Sequence, residues 1–142
     1  GDGAYDDTKL NRPLIAKAAF QDPSLLEQLI QVVHPAVARD VDSWKEQHAE
    51  SKLLLKEAAL LFETGSYKEL DQTILVKAPE EMRIQRVIAR DSHRSREDVE
   101  KIINNQMPEA EKEKLADFVI INDGHHSLIE QVMKVFNQLI VA

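Results

Sequence analysis

Three short apolar runs constrain this chain more than any other feature. They are Leu53-Leu54-Leu55 with Ala58 to Phe62, then Thr73-Ile74-Leu75-Val76, then Phe118-Val119-Ile120-Ile121. A strand with one wet face alternates apolar and polar residues, because successive side chains point to opposite sides. A near-continuous run instead suits a strand covered on both faces, as in a parallel sheet flanked by helices. The runs end at turn-forming or polar residues: Glu63-Thr64-Gly65, Ala78-Pro79-Glu80 and Asn122-Asp123-Gly124. Helical patterns lie between and after them, over 80–91, 95–106, 109–115 and 127–141. Ser95 with Asp98 reads as a capping box at the start of the second of these helices. Strand–helix–strand alternation predicts an α/β fold with a parallel sheet, although three strands make a thin one.

The first third of the chain is expected to be helical. Gly1 to Thr8 reads as a loop and, lacking an initiating Met, as a cut edge rather than a natural start. Pro13 suits the first turn of a helix running to Phe20. Asp22-Pro23 then opens a second helix, with Leu25, Leu26, Leu29, Ile30 and Val33 at helical spacing. His34-Pro35 is expected to end it, because a residue before proline is pushed out of the α region. A third helix, Ala36 to Glu50, would carry Val37, Val41 and Trp44.

Charge is unevenly placed. The chain carries a net charge of −7, which argues against general nucleic-acid binding. Yet five of its seven arginines fall between Arg83 and Arg96. Arg83, Arg86 and Arg90 share one helix face by spacing. A guanidinium donates two parallel hydrogen bonds and so fits phosphate. Such a cluster is either a phosphate-neutralising device or a solvated face paired with Glu80, Glu81, Asp91 and Glu97. Glu63 would sit at a strand end, as a hydrogen-bond acceptor, a ligand to metal-bound water or a plain turn residue. His34 binds a substrate or merely ends a helix, and His125-His126 reads as exposed.

Other chemistries find no foothold. The chain has no cysteine, hence neither disulfides nor a thiolate metal site. No histidine pair has the i, i+4 spacing of a helical metal site, and no metal site built from protein ligands alone is expected. No apolar run approaches the roughly 20 residues that span a bilayer, so a soluble cytoplasmic protein is expected. The four glycines (Gly1, Gly3, Gly65, Gly124) form neither G-x-x-x-x-G-K-[ST] nor G-x-G-x-x-G.

Taken together, these residues resemble the dephospho-CoA kinase family. Glu57-Ala58-Ala59-Leu60-Leu61-Phe62-Glu63 is similar to its strand motif [DE]-x-P-L-L-[FV]-E, with Ala59 where many members carry Pro. Ala78-Pro79-Glu80-Glu81 with Gln85-Arg86 and Arg90-Asp91 resembles its next segment, and Ser95-Arg96-Glu97-Asp98 its following helix start. Gln106-Met107-Pro108, Glu111-Lys112, Ala116-Asp117 and Val119-Ile120-Ile121-Asn122 with Gly124 continue the match. Phe20 to Pro23 and Leu29 to His34-Pro35 extend it upstream. The order and spacing of these pieces cover nearly the whole chain.

The resemblance implies a P-loop kinase-like parallel sheet with flanking helices and a helical lid, here without its N-terminal strand–P-loop–helix portion. It implies transfer of the γ-phosphoryl of ATP, with Mg²⁺, to the 3′-hydroxyl of dephospho-CoA, the last step of coenzyme A biosynthesis. Residues 9–50 would form the acceptor-binding region, 51–80 and 116–142 the core, and 81–115 the lid. Arg90 and Arg96 would contact the ATP phosphates, with Arg86 structural or a further phosphate contact. Asn122 and Gly124 would line the adenine side, and His34 and Glu63 would face the acceptor. The catalytic groups would lie upstream of Gly1, so this stretch alone would be inactive. Its open sheet would leave strand edges that invite self-association. The alternatives are another small-molecule or nucleotide kinase of the same superfamily, and a non-catalytic binding module that lost its P-loop.

Overall fold

The computed structural model describes residues 2–6 and 9–141. These fall into two compact units, Gly1–Leu54 and Leu55–Ala142. The first unit opens with a short antiparallel ladder, β1 (Tyr5–Asp6) against β2 (Lys9–Leu10). Part of the stretch expected to be a loop is therefore ordered as strand, while Gly1, Asp7 and Thr8 lie outside the described residues. Helix α1 (Arg12–Gln21) starts where the Asn11 side chain accepts from Leu14 N–H at 3.2 Å. Asp22 does two jobs at the next joint. Its own N–H closes α1 on Ala18 O at 3.1 Å, and its carboxylate accepts from Ser24 N–H and Leu25 N–H to open α2 (Pro23–Gln47).

Helix α2 corrects the expected break. It runs for 25 residues through His34 and Pro35, so there is one long helix in place of two. Proline removes one backbone donor and crowds the preceding turn, yet its fixed φ is itself near the helical value. Leu29 and Gln31 before it and Ala36 and Ala38 after it favour helix, and the helix continues through the proline.

The second unit corrects a further expectation. The run from 53 to 62 forms no strand: residues 53–58 are irregular and 59–65 are turns. A strand needs a neighbour to take its backbone N–H and C=O groups, and no strand among the described residues pairs with this run. The carbonyls at its end are met locally instead. Leu60 O accepts from Thr64 N–H at 3.1 Å and from Thr64 Oγ1 at 2.8 Å, and Phe62 O from Gly65 N–H at 3.1 Å. Gly65 sits at φ +75°, where a side chain would be strained.

The other two runs are strands. β3 (Ile74–Lys77) and β4 (Phe118–Ile121) pair in parallel, with Ile74 opposite Phe118 and Lys77 opposite Ile121. Between them come α3 (Glu80–Arg90), α4 (Arg96–Asn104) and α5 (Glu109–Leu115), and α6 (Leu128–Val141) follows β4. The expected capping box is present: Asp98 N–H donates to Ser95 Oγ, and Ser95 N–H to the Asp98 carboxylate. The fold class is α/β as expected. Its core gathers Phe62, Thr73, Ala78, Ile84, Val99, Ile120 and Val135, all buried.

Two clasps fix the sheet. At its start, Asp117 Oδ2 accepts from Thr73 N–H at 2.8 Å and Thr73 Oγ1 at 2.7 Å, and Asp117 N–H returns a bond to that hydroxyl. At its far end, Gln131 on α6 accepts from Ile121 N–H at 2.8 Å and donates to Ile121 O at 2.9 Å.

Candidate functional site

In parallel sheets, ligands bind beyond the C-terminal ends of the strands. Here those ends are Ala78-Pro79 after β3 and Asn122-Asp123-Gly124 after β4. Helix α3 starts directly after the first and reaches the second. Arg86 donates from Nη1 to Asn122 O at 3.2 Å and from Nη2 to Asn122 Oδ1 at 3.3 Å. A single guanidinium thus holds both the backbone and the amide of the residue that ends the second strand. Just beyond it, Asp123 accepts from His125 N–H at 2.9 Å and His126 N–H at 3.0 Å, and pairs with the His126 ring. These backbone donors, with the ring, hold its carboxyl well below the usual range. Gly124 adopts φ +83°, with open space where a Cβ would stand.

The three arginines on the expected α3 face lead to three different places. Arg83 donates from Nε to Ala78 O at 3.1 Å and lies 3.7 Å from Glu109 and 3.8 Å from Glu80. It therefore links the end of β3 to the starts of α3 and α5. Arg86 goes to Asn122. Arg90 clasps its neighbour Asp91 with two bonds of 3.0 Å, and Arg94 adds a contact of 3.5 Å. Asp91 is held below its usual value chiefly by the Arg90 hydrogen bonds. On α4, Arg96 reaches across to Glu81 on α3 with Nη1 and Nη2, and to Glu100 with Nε at 2.7 Å.

A groove of about 870 Å³ runs beside β3, lined by Leu61, Phe62, Ile74, Val76, Met107 and Lys112 among others. At one end, Lys112 on α5 lies 2.6 Å from Glu63 Oε1, an oxygen that also accepts from Met107 N–H at 3.1 Å. Both side chains are largely out of water, 13% and 18% exposed, and Glu63 Oε2 is buried with no hydrogen-bond partner. Burial raises the Glu63 pKa, but the Lys112 hydrogen bond and the backbone donors outweigh it and leave the carboxyl below its ordinary 4.5.

Sequence reasoning singled out Arg86, Asn122 and Glu63, and the structure brings the first two together. Arg90 and Arg96 each hold carboxylates, the pairing that the solvated-face reading expected for Asp91 and Glu81. His34 lies exposed on α2 in the first unit. Two residues were missed. Arg83 was counted in the cluster without a role, and Lys112 appeared only inside a matching motif. Glu63, the partner of Lys112, is 49 positions away in sequence, so no local pattern signals the pair. Among the described residues no three His, Cys, Asp or Glu side chains gather to hold a metal ion, and no helix is long and apolar enough to cross a membrane.

Comparison with known proteins adds a second line of observation. A family model described as dephospho-CoA kinase matches residues 2–127. A dephospho-CoA kinase of Bacteroides fragilis is 34% identical over 134 residues, 94% of this chain and 65% of that protein. One from Aquifex aeolicus is 36% identical over 141 residues, 98% of this chain and 71% of that protein. A crystal structure from Thermus thermophilus superposes with a TM-score of 0.84 at 38% identity, covering 96% of this chain and 71% of the other. The chain spans about two thirds of the length of the curated relatives it matches.

Proposed function

This chain belongs to the dephospho-CoA kinase family, and from that premise we propose that it serves transfer of the ATP γ-phosphoryl to the 3′-hydroxyl of dephospho-CoA. The observation that carries the reading is the family match over residues 2–127, within which Arg83 and Arg86 hold the C-terminal ends of two parallel strands. Phosphoryl transfer asks a protein mainly to position the partners and to offset charge on the transferring group.

In this reading Asn122 and Gly124 receive the adenine. Arg86 supports that side, since it grips Asn122 through both its carbonyl and its amide. Arg90 and Arg96 exchange their carboxylate partners for ATP phosphates, on a lid formed by residues 81–115. Arg83 anchors the root of that lid on Ala78 O, and the Glu63–Lys112 pair anchors its return at Met107 and α5. Closure of such a lid excludes water from the transferring group. Residues 9–50, which include exposed His34, serve the acceptor, as does Glu63. The remaining segments, 51–80 and 116–142, are the core.

Mg²⁺ would help offset phosphate charge. The described residues offer no cage for it, and it would arrive with the nucleotide as Mg·ATP. A metal that binds mainly through substrate phosphates is the usual arrangement in kinases. The reading places the protein in the cytoplasm, and the net charge of −7 supports a small-molecule rather than a nucleic-acid substrate.

The test is ADP release from Mg·ATP by the protein expressed from the natural start codon of its gene, offered dephospho-CoA, AMP, shikimate or no acceptor. The 142-residue chain is run in parallel and is expected to be silent, because it contains no G-x-x-x-x-G-K-[ST] phosphate loop. Turnover with dephospho-CoA alone is the expected result. Turnover with a different acceptor refutes the substrate assignment, and silence with all of them refutes the kinase reading.

A further inference from the structure

Arg96 is held in an unusual way for an exposed arginine. Its Nη1 and Nη2 both donate to the Glu81 carboxylate, one to each oxygen, while Nε donates to Glu100 at 2.7 Å. The two contacts differ in kind. Glu100 lies four residues along the same helix, so its bond is local. Glu81 lies on α3, 15 residues away, so its bond joins two helices. Glu81 is itself steadied by Gln85, whose Nε2 donates to Oε1 at 3.1 Å.

Two parallel N–H donors from one guanidinium are also the grip that an arginine offers a phosphate. Glu81 therefore occupies the edge of Arg96 that a phosphate would need. We propose that Glu81 holds the Arg96 fork between α3 and α4 in competition with the ATP phosphates, and surrenders it to them when nucleotide arrives. This rests on the proposed role of Arg96 as a phosphate contact.

The setting of the pair suits exchange. The side chains are 50% and 53% exposed, so a dissolved anion reaches both and screening weakens their hold on each other. The Glu63–Lys112 pair, only 13% and 18% exposed, is the contrasting fixed contact. Glu81 is held at about 2, first by the Arg96 hydrogen bonds and then by Gln85, so it stays ionised across the physiological range. The clasp opens to a competing anion rather than to a change of pH.

A carboxylate that competes with phosphate predicts an unusual sign. Removing a supporting contact ordinarily weakens binding, whereas removing a competitor strengthens it. The experiment is equilibrium binding of ATP to the protein expressed from its natural start codon, for wild type, Glu81→Gln, Arg96→Gln and the double variant. Thermal unfolding checks that all four fold. Glutamine preserves the shape of Glu81 and its acceptor for Gln85. Glu81→Gln is expected to tighten ATP binding about threefold, the scale set by exposed ion pairs, and the gain is expected to vanish in the Arg96→Gln background. Unchanged or weaker binding in a folded Glu81→Gln overturns the proposal. So does a gain that survives without Arg96. A wild type that binds ATP yet transfers nothing to dephospho-CoA refutes the kinase reading instead and leaves the clasp standing.

Discussion

Lys112→Met strips the ammonium from a carboxylate that is largely out of water. Lys112 Nζ lies 2.6 Å from Glu63 Oε1, and the side chains are 13% and 18% exposed. Breaking a fully buried pair costs about 3–5 kcal/mol, because the surviving charge is left uncompensated. A fully exposed pair is worth about 0–1 kcal/mol. This pair lies between, nearer the buried limit, and Met107 N–H still donates to Glu63. We expect a loss of about 2 kcal/mol, which for a domain of this size lowers Tm by roughly 10 °C. Calorimetry would read it, with Trp44 fluorescence reporting the first unit, which should be unmoved.

The pH profile checks the cause. In wild type the Glu63 pKa is depressed. Its contribution is therefore present above the unfolded value of about 4.3 and lost as pH falls through the folded one. In Lys112→Met the pairing is gone while burial and the Met107 N–H remain, so the folded pKa moves up from its wild-type position. That variant should therefore lose less stability than wild type on acidification. The two stability curves should draw together as pH falls below the unfolded carboxyl value. The double variant Glu63→Leu/Lys112→Met should recover most of the loss, since a buried pair replaced by apolar groups is often neutral. A double variant as unstable as Lys112→Met, or parallel pH curves, would refute the argument.

Two further outcomes follow from contacts outside the site. Thr73 is 4% exposed, and Thr73→Val removes a hydroxyl that both donates to and accepts from Asp117. It should cost about 1–2 kcal/mol at neutral pH. Asp117 is held below 3.8 by the Thr73 hydroxyl first, so the deficit should shrink as urea unfolding is repeated at falling pH below about 4. Pro35→Ala restores a backbone donor in the middle of α2 and should raise the urea midpoint read at Trp44 by the equivalent of about 2 kcal/mol. A lower midpoint would refute the argument.

What was legible in the sequence was local. The capping box at Ser95, the limits of α5 and the runs that became β3 and β4 follow from spacing and turn residues within a few positions. The failures were of two kinds. At Pro35 one unfavourable residue was allowed to outweigh the helix formers on both sides. At residues 53–62 the apolar run met the strand criterion but found no partner strand, and a ladder depends on residues far away in sequence. The site shows the same divide. The arginine spacing was visible, whereas the destinations of Arg86 at Asn122 and of Lys112 at Glu63 were not, because both depend on how β3, β4 and their helices come together.

The Gln131 clasp gives the small sheet a direction of growth. In a parallel pair, alternate residues of each strand turn their backbone groups toward the partner and away from it. Phe118 and Asn122 bond to β3, so Val119 and Ile121 face outward, and Gln131 takes both the N–H and the C=O of Ile121. A strand approaching that edge would have to evict a side chain to pair with Ile121. On the opposite edge Ile74 and Val76 face the groove, where no such plug is set among the described residues. The sheet is a zip with one end crimped, and any strand that lengthens it must enter beside β3.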